Sequence, residues 1–398
     1  MEGAPANPLL EGLPGLDDLP DLDGASVLVR VDFNVPLRAG PDGAWEVADD
    51  FRIRAALPTL AHLTDRGAAV TACTHLGRPT GAPDPRWDVA PVRRRLAELA
   101  PGVTLLDNLR FDPGETADDP AFVARLVDGH DAYVNDAFGV SHRAHASVVG
   151  PPRTLPSAAG ILLRREIEVL GSLLGQPARP FVAVVGGAKV ADKLGVVASL
   201  LEHVDALVVG GGMAFTFLAA AGHDVGTSLV DGDRLEECAR LLSLGKRILL
   251  PSDVVTLPTG LPFGPGCEDA GDAEVSVVGQ DVPDGRCGLD IGPATAAAYA
   301  AEIAGAATVL WNGPMGVFED ERFASGTRAV AEAVAACPGF TVVGGGDSAR
   351  AVDELGLDDR IDFVSTGGGA SLELLEHGDL PGLVALRSAP NAPSRRGR

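Results

Sequence analysis

Short apolar runs alternate with helix-patterned segments along almost the whole chain. From Phe181 onward one unit recurs: a β-branched run, a tight glycine-rich turn, then apolar residues at helical spacing. The instances are "FVAVVGGAKVADKLGVVASLL", "ALVVGGGMAFTFLAAAG", "TVLWNGPMGVFE", "FTVVGGGDSARAVDELG" and "IDFVSTGGGASLELLE". Continuous apolar runs followed by helical patterns predict buried parallel strands with crossover helices, hence an α/β fold with a doubly wound sheet. Ligands of such sheets bind beyond the carboxyl ends of the strands. The five glycine turns are therefore expected to line one edge.

The first 150 residues alternate in the same way, but their strand ends differ. "VLVRVDFNVP", "AVTACTHLGRP", "VTLLDNLRF" and "DAYVNDAFGVSHRAH" finish in Asp, Asn, His and Arg where the second half has glycines. Two α/β halves are expected, one with a glycine-lined edge and one with an edge of cations and amides. Between them "ILLRREIEVLGSLL", residues 161–174, predicts a connecting helix. The span 251–290, rich in Pro, Gly and Asp, is expected to run through loops before "DIGPATAAAYAAEIAG" starts another helix. The polar tail "SAPNAPSRRGR" is expected to fray.

Composition narrows the classes. With 398 residues, 46% of them hydrophobic and 22% charged, the chain has material for two or three domains. A net charge of −23 argues against nucleic acid or an anionic membrane as partner, because both would be repelled. There are only three lysines, Lys189, Lys193 and Lys246. Acid-rich, lysine-poor composition points to a surface adapted to a salty cytoplasm. Five scattered cysteines without a CxxC argue against a disulfide framework or structural zinc and fit a reducing compartment. The first residues carry no basic region, and no apolar run reaches the ~18 residues of a membrane span. A soluble cytoplasmic protein is expected.

Two of the three lysines stand four residues apart, just after Gly186-Gly187. A strand, two glycines and a helix start favour an anion through backbone N–H groups and the helix dipole. Read as lying in the first helical turns, Lys189 and Lys193 repel each other and oppose that dipole, unless an anion docks there. "GGGDSA", Gly344–Ala349, satisfies a dinucleotide fingerprint, which alone is weak. Asp347 inside that cradle would repel a pyrophosphate unless a divalent cation stood between them. The ribose-binding acid of an NAD site should close the next strand, yet Asp362 opens it. A Mg-nucleotide is favoured, with an NAD-dependent oxidoreductase as the alternative. No G-x-x-x-x-G-K-[ST] occurs. Asn312 ends an apolar strand where it suits a phosphate, Glu319 is placed to accept from ribose hydroxyls, and Trp311 reads as core.

At the cationic edge the candidates are Asp32, Asn34, Arg52, His75, Arg78, Arg110, His142, Arg143 and His145. Arginines at strand ends hold carboxylate or phosphate bidentately. In so acidic a chain, their clustering marks a small, highly anionic ligand.

"RVDFNVPL", "HLGRP", "NLRF", "VNDAFGVSHRAHASVVG", "GGAKVADKL", "GGGMAFTFL", "DIGP", "WNGPMGVFE", "GGGDSA" and "STGGGASLELLE" together resemble the phosphoglycerate kinase family, collinear over nearly the whole chain. The resemblance implies two Rossmann-like domains with parallel sheets flanked by helices, facing across a cleft and joined by a connecting helix. It implies a 3-phosphoglycerate domain over 1–167, a Mg-nucleotide domain over 168–372, and a segment 373–398 returning to the first domain. The implied reaction is reversible phosphoryl transfer from 1,3-bisphosphoglycerate to Mg-ADP, giving 3-phosphoglycerate and ATP, in a monomeric glycolytic enzyme. Asp32, Phe33, Asn34, Arg52, His75, Leu76, Gly77, Arg78, Arg110, His142 and Arg143 would hold the triose. Gly187, Lys189, Lys193, Gly211, Asn312, Glu319, Gly345, Gly346, Asp347 and Ser348 would hold the nucleotide, with Asp347 on the Mg2+. Arg52, Lys189 and Lys193 would be catalytic, Arg52 and Lys189 neutralising the phosphoryl group in flight. Four departures stand out: Asp107 for a common glutamate, Ser348 for a threonine, and Ala294 and Thr227 where many relatives carry lysine.

Overall fold

A computed structural model describes residues 7–40, 43–267 and 274–391. It divides into two compact units. Unit 1 runs up to Ser172 and takes in the chain again from His377; unit 2 is Leu173–Glu376. Most of the tail expected to fray, residues 392–398, lies outside the described residues.

Unit 1 opens with β1 (Ser26–Arg30), a hairpin of β2 (Leu37–Ala39) and β3 (Trp45–Val47), and α1 (Phe51–Asp65). Then come β4 (Ala69–Cys73), α2 (Ala90–Leu99), β5 (Thr104–Leu105), α3 (Gly114–Ala117) and α4 (Pro120–Val127). β6 (Ala132–Asn135), α5 (Ala146–Val149), β7 (Ser157–Ala159) and α6 (Ile161–Leu174) follow. The sheet order is β5-β4-β1-β6-β7, every pairing parallel. The chain winds outward from β1 through β4 and β5, then restarts on the other side at β6. The gap between β1 and β6 is thus the switch point at which such sheets bind ligands. β1 is buried on both faces, as its β-branched run requires, and Val27 and Val29 join Ile53, Leu60, Val92 and Val134 in the core.

Unit 2 repeats the scheme with β8 (Phe181–Val185), α7 (Leu194–His203), β9 (Ala206–Val209), α8 (Met213–Ala220), α9 (Leu235–Leu242) and β10 (Ile248–Leu249). Three further strands, β11 (Asp253–Pro258), β12 (Ser276–Gly279) and β13 (Arg286–Ile291), form their own sheet. The unit continues with α10 (Pro293–Ala304), β14 (Thr308–Asn312), α11 (Ser325–Ala336), β15 (Phe340–Gly344), α12 (Gly346–Glu354), β16 (Phe363–Val364) and α13 (Gly368–His377). Its main sheet, β10-β9-β8-β14-β15-β16, is parallel throughout, with the switch point between β8 and β14.

The expectation of loops over 251–290 is overturned: β12-β11-β13 is an antiparallel sheet across that span. β12 alternates half-buried and exposed residues, and its exposed face leaves no apolar run to read. The connecting helix holds as expected, because Leu163, Ile167, Leu170 and Leu173 stack on one buried stripe of α6.

The last helix, α14 (Pro381–Arg387), belongs to unit 1. Arg387 fastens it, donating to Asp379 at 2.7 Å and to the carbonyls of Leu9 and Glu11. The Gly382 N–H donates to Ser141 O at 2.9 Å, so the helix braces the loop that carries His142 and Arg143.

Each unit buries one carboxyl beneath a helix start. Asp136 follows β6 and accepts from the Leu163 N–H at the head of α6; Asp290 in β13 accepts from Ile291 and from Gly326 at the head of α11. Burial pushes both carboxyls up to about 7. A folded pKa above the unfolded value of ~3.9 gives stability that is whole below that value and lost as pH rises through the folded one. Stability of the native chain relative to Asp136→Asn is therefore expected to fall between about pH 4 and 7. Urea midpoints of both proteins across that range check it; a constant difference would contradict it.

Candidate functional site

Both switch points carry charged side chains, and they differ in kind. In unit 2 the strand ends are stripped of side chains. Gly187 (φ 102°), Gly211 (φ 66°), Gly313 (φ 100°) and Gly345 (φ 96°) occupy backbone conformations that side chains rarely tolerate. The loops also touch. The Gly187 N–H donates to Pro314 O, the Gly211 N–H to Met315 O, and a Cβ on Gly368 would lie 2.7 Å from Gly345 Cα. The glycine turns do share one edge.

Across the β8–β14 gap stretches Lys193. Its ammonium donates to Gly186 O (2.6 Å), Asn312 Oδ1 (2.8 Å) and Asn312 O (3.2 Å). Burial pulls its pKa down to about 8, against the opposing pull of Asp347 and Asp192. The placement of both lysines in the first helical turns is corrected here. α7 starts only at Leu194, Lys193 is its N-cap residue, and Lys189 stands exposed in the loop before it. The loop persists because Lys193, reaching back to two strand-end carbonyls, holds the chain away from helical geometry.

Ser348 is buried, its Oγ accepting from the Gly313 N–H at 2.6 Å. Asp347 is exposed in the first turn of α12, whose cap residue is Gly345, so the carboxylate is not spent on capping. Gly346 opens the helix, and a Cβ there would meet nothing within 4 Å. Among the described residues no group of three or more His, Cys, Asp or Glu is placed to hold a metal. A lone carboxylate fits a cation held mostly by phosphate oxygens. Glu319 is not free as expected: it accepts from Arg350 at 2.5 Å, and Arg350 stacks over Phe318. Trp311 is core, with its indole N–H on Gly313 O.

In unit 1 the edge is crowded with cations. Asp32, just past β1, accepts from Arg52 at 3.0 Å, and the same Arg52 nitrogen reaches Asn34 O at 3.2 Å. Burial alone would raise the Asp32 pKa; Arg52, His75 and Arg30 outweigh it and hold the carboxyl low. Asn34 Oδ1 accepts from the Gly77 N–H, and Gly77 O accepts from Arg110 at 2.6 Å. Gly77 has φ 62°, and a Cβ there would lie 2.0 Å from Trp87. Arg78 is exposed. Arg143 donates to His142 Nε2 at 3.1 Å.

Counter-charge is scarce. Burial, with Arg143 and Arg30 nearby, lowers Arg110 to about 10. Burial, with Arg143 beside it, lowers His142 to about 4, and burial with Arg110, Arg143 and Arg30 lowers His145 to about 4. Arg110 Nε, His142 Nδ1 and His145 Nδ1 are buried with no hydrogen-bond partner among the described residues. Orphaned polar groups cost roughly 1–3 kcal/mol each, and an anion accepting from them would offset that cost.

Two expected residues contribute backbone only: the side chains of Phe33 and Leu76 lie in the hydrophobic core. Three others escaped the sequence reading. Arg30, fully buried at the end of β1, donates to Ser147 Oγ (2.8 Å) and reaches His75 Nδ1 (3.3 Å). Glu115, equally buried, accepts from Ser147 N–H and Oγ–H. An arginine inside a β-branched run was the available signal for Arg30; Glu115 and Ser147 gave none.

A profile of the family described as phosphoglycerate kinase matches residues 16–103 and 99–378. A phosphoglycerate kinase of Parafrankia sp. (strain EAN1pec) is 52% identical over 406 residues, covering 93% of this chain and 99% of its own. One from Salinispora tropica is 50% identical, covering 94% and 99%. The solved structure of phosphoglycerate kinase from Coxiella burnetii superposes with a TM-score of 0.80 at 37% identity, covering 94% of this chain and 98% of that one. That from Pyrococcus horikoshii OT3 gives a TM-score of 0.80 at 30% identity.

The orphaned donors of unit 1 predict a response to a simple anion. Inorganic phosphate at matched ionic strength is expected to raise the thermal midpoint through binding to the folded state. Arg143→Ala should lose most of that rise. Equal shifts in both proteins would contradict a specific site.

Proposed function

The chain belongs to the phosphoglycerate kinase family, and from that premise we propose how its two sheet edges divide the reaction. The reaction itself is reversible phosphoryl transfer between 1,3-bisphosphoglycerate and ADP, giving 3-phosphoglycerate and ATP. The edge of unit 1 takes the triose, through Asn34, Arg52, His75, Arg78, Arg110, His142 and Arg143 and the backbone of Phe33, Leu76 and Gly77. Asp32 orients Arg52. The observation that carries this reading is the set of buried, unpaired nitrogens among Arg110, His142 and His145. They ask for a compact ligand with several acceptor oxygens.

The edge of unit 2 takes the nucleotide. Gly187, Gly211, Gly345 and Gly346 let phosphates approach the backbone closely, and Lys193, Asn312 and Ser348 fix the strand ends around them. Glu319, with Oε1 on Arg350, keeps Oε2 to accept from a ribose hydroxyl. Asp347 would hold Mg2+, which when bound supplies charge neutralisation for the nucleotide phosphates. The dinucleotide alternative gains no support: Asp362 accepts from Thr341 N–H and Oγ–H at the start of β15, the wrong end for a ribose contact.

An oxygen of the ADP β-phosphate attacks the acyl phosphorus. The bond from phosphorus to the carboxyl oxygen breaks, and 3-phosphoglycerate leaves as a carboxylate. Neither the nucleophile nor the leaving group needs a proton moved, so no general base is required. The work is positioning and charge stabilisation. Arg52, with Nη1 anchored and its other donors open, and exposed Lys189 are the cations offered to the transferring group.

We further propose a monomeric cytoplasmic enzyme. No described helix is long and apolar enough to cross a membrane. The net charge of −23 supports adaptation to a salty cytoplasm.

A coupled assay of ATP formed from ADP and 1,3-bisphosphoglycerate tests the roles. Lys189→Ala is expected to lower turnover on the order of 100-fold or more with the fold intact. Arg52→Ala should damage turnover more than nucleotide affinity. Near-normal turnover in either variant removes its assigned role. Run across KCl, the native assay should hold its rate toward molar salt; activity lost as salt is added would refute the salt adaptation.

A further inference from the structure

Beneath the cationic edge of unit 1 runs a hydrogen-bonded chain that touches no substrate position until its far end. It begins at Glu115, whose Oε2 accepts from the Ser147 N–H (2.9 Å) and whose Oε1 accepts from the Ser147 hydroxyl (2.7 Å). Since that hydroxyl proton is given to Glu115, the Ser147 oxygen is left to accept, and Arg30 Nε–H donates to it at 2.8 Å. Tyr133 pins the same residue from the other side, its hydroxyl donating to Ser147 O at 2.7 Å. Arg30 also donates to Val31 O, and its remaining nitrogen meets His75 Nδ1 at 3.3 Å.

The direction of that last contact is fixed. A guanidinium has donors only, so His75 Nδ1 must be the acceptor, and the proton of the uncharged ring sits on Nε2. The rival partner for Nδ1 is Asp32 Oδ1, but at 3.8 Å it is beyond hydrogen-bonding range. Protonating Nδ1 would set two N–H groups against each other. His75 Nε2 has no partner of its own among the described residues. The charged groups acting on the ring are Asp32, which favours the cation, and Arg30, Arg110 and Arg143, which oppose it. Burial opposes it most, and the ring is held uncharged well below the ordinary histidine range.

We propose that Glu115 and Ser147, acting through Arg30, are positioning residues that hold the His75 ring with Nδ1 as acceptor and Nε2–H as the donor offered to an oxygen of 3-phosphoglycerate. This rests on the reading of the unit 1 edge as the triose site. Glu115 aims the serine hydroxyl, the serine aims the guanidinium, and the guanidinium selects the tautomer. A ring free to hold its proton on Nδ1 would present a lone pair to an anionic substrate, and repel it.

Nitrogen-resolved NMR of the imidazoles in the full-length protein tests this, with the His75 signals assigned by comparison with His75→Gln. In the native protein, Nδ1 should show the shift of an unprotonated ring nitrogen and Nε2 that of a protonated one, unchanged between about pH 5.5 and 8. A native ring protonated on Nδ1, or titrating in that window, overturns the positioning. Ser147→Ala should give a mixed-tautomer signal and raise KM for 3-phosphoglycerate about tenfold, with kcat within about threefold. Ser147→Thr, which keeps the hydroxyl, should restore both. Unchanged tautomer and KM in Ser147→Ala overturn the proposal. A ring of the expected tautomer whose Nε2 signal ignores added 3-phosphoglycerate overturns instead the assignment of His75 to the triose, and with it the ligand named here.

Discussion

Burying Arg30 and Arg110 beside Arg52 and Arg143, with Asp32 and Glu115 as the near counter-charges, sets the constraint from which the rest of unit 1 follows. A protein interior screens charge poorly, so like charges there depress one another's protonated forms. Burial first and the neighbouring guanidinium groups second lower the pKa values of Arg110, His142 and His145. Such a cluster needs mechanical support. The parallel sheet supplies it from below, the Glu115–Ser147–Arg30 chain from within, and α14 from the far end of the sequence through Ser141.

Unit 2 solves a related problem by opposite means. Its edge removes side chains where unit 1 adds them, leaving backbone N–H groups, half-buried Lys193, exposed Lys189 and exposed Asp347. Lys193 ties the two strand ends across the switch point, and Asp347 is exposed in the first turn of α12. Phosphates bound at such an edge meet dipoles and few fixed charges. Phosphoryl transfer asks for positioning and charge stabilisation and no covalent help.

Much of this was legible in the sequence for identifiable reasons. Buried parallel strands must be continuous apolar runs, so β1, β6, β8, β9, β14 and β15 announce themselves. Left-handed backbone at strand ends favours glycine, so four of the five turns on the unit 2 edge showed themselves at Gly187, Gly211, Gly313 and Gly345. α6 showed its stripe at Leu163, Ile167 and Leu170. The remainder was hidden for reasons equally physical. β12 exposes half its residues, and its Pro- and Gly-rich surroundings resemble loop. Nothing in "AKVADK" breaks a helix, so only the tertiary reach of Lys193 delays α7 to Leu194. Glu319, in a turn, looked available because its partner Arg350 lies far along the chain on α12. Glu115 and Ser147 act through a third residue, and no local pattern marks such a role.

The central claim is that each edge serves one reactant independently. Isothermal titration of 3-phosphoglycerate and of Mg-ADP, separately, into Arg110→Ala and Lys193→Met tests it most directly. Arg110→Ala should weaken 3-phosphoglycerate at least tenfold and leave Mg-ADP unchanged, about 1.4 kcal/mol or more on one ligand only. Lys193→Met should do the reverse. If either substitution weakened both ligands alike, or the wrong one, the division of labour between the two edges would be contradicted.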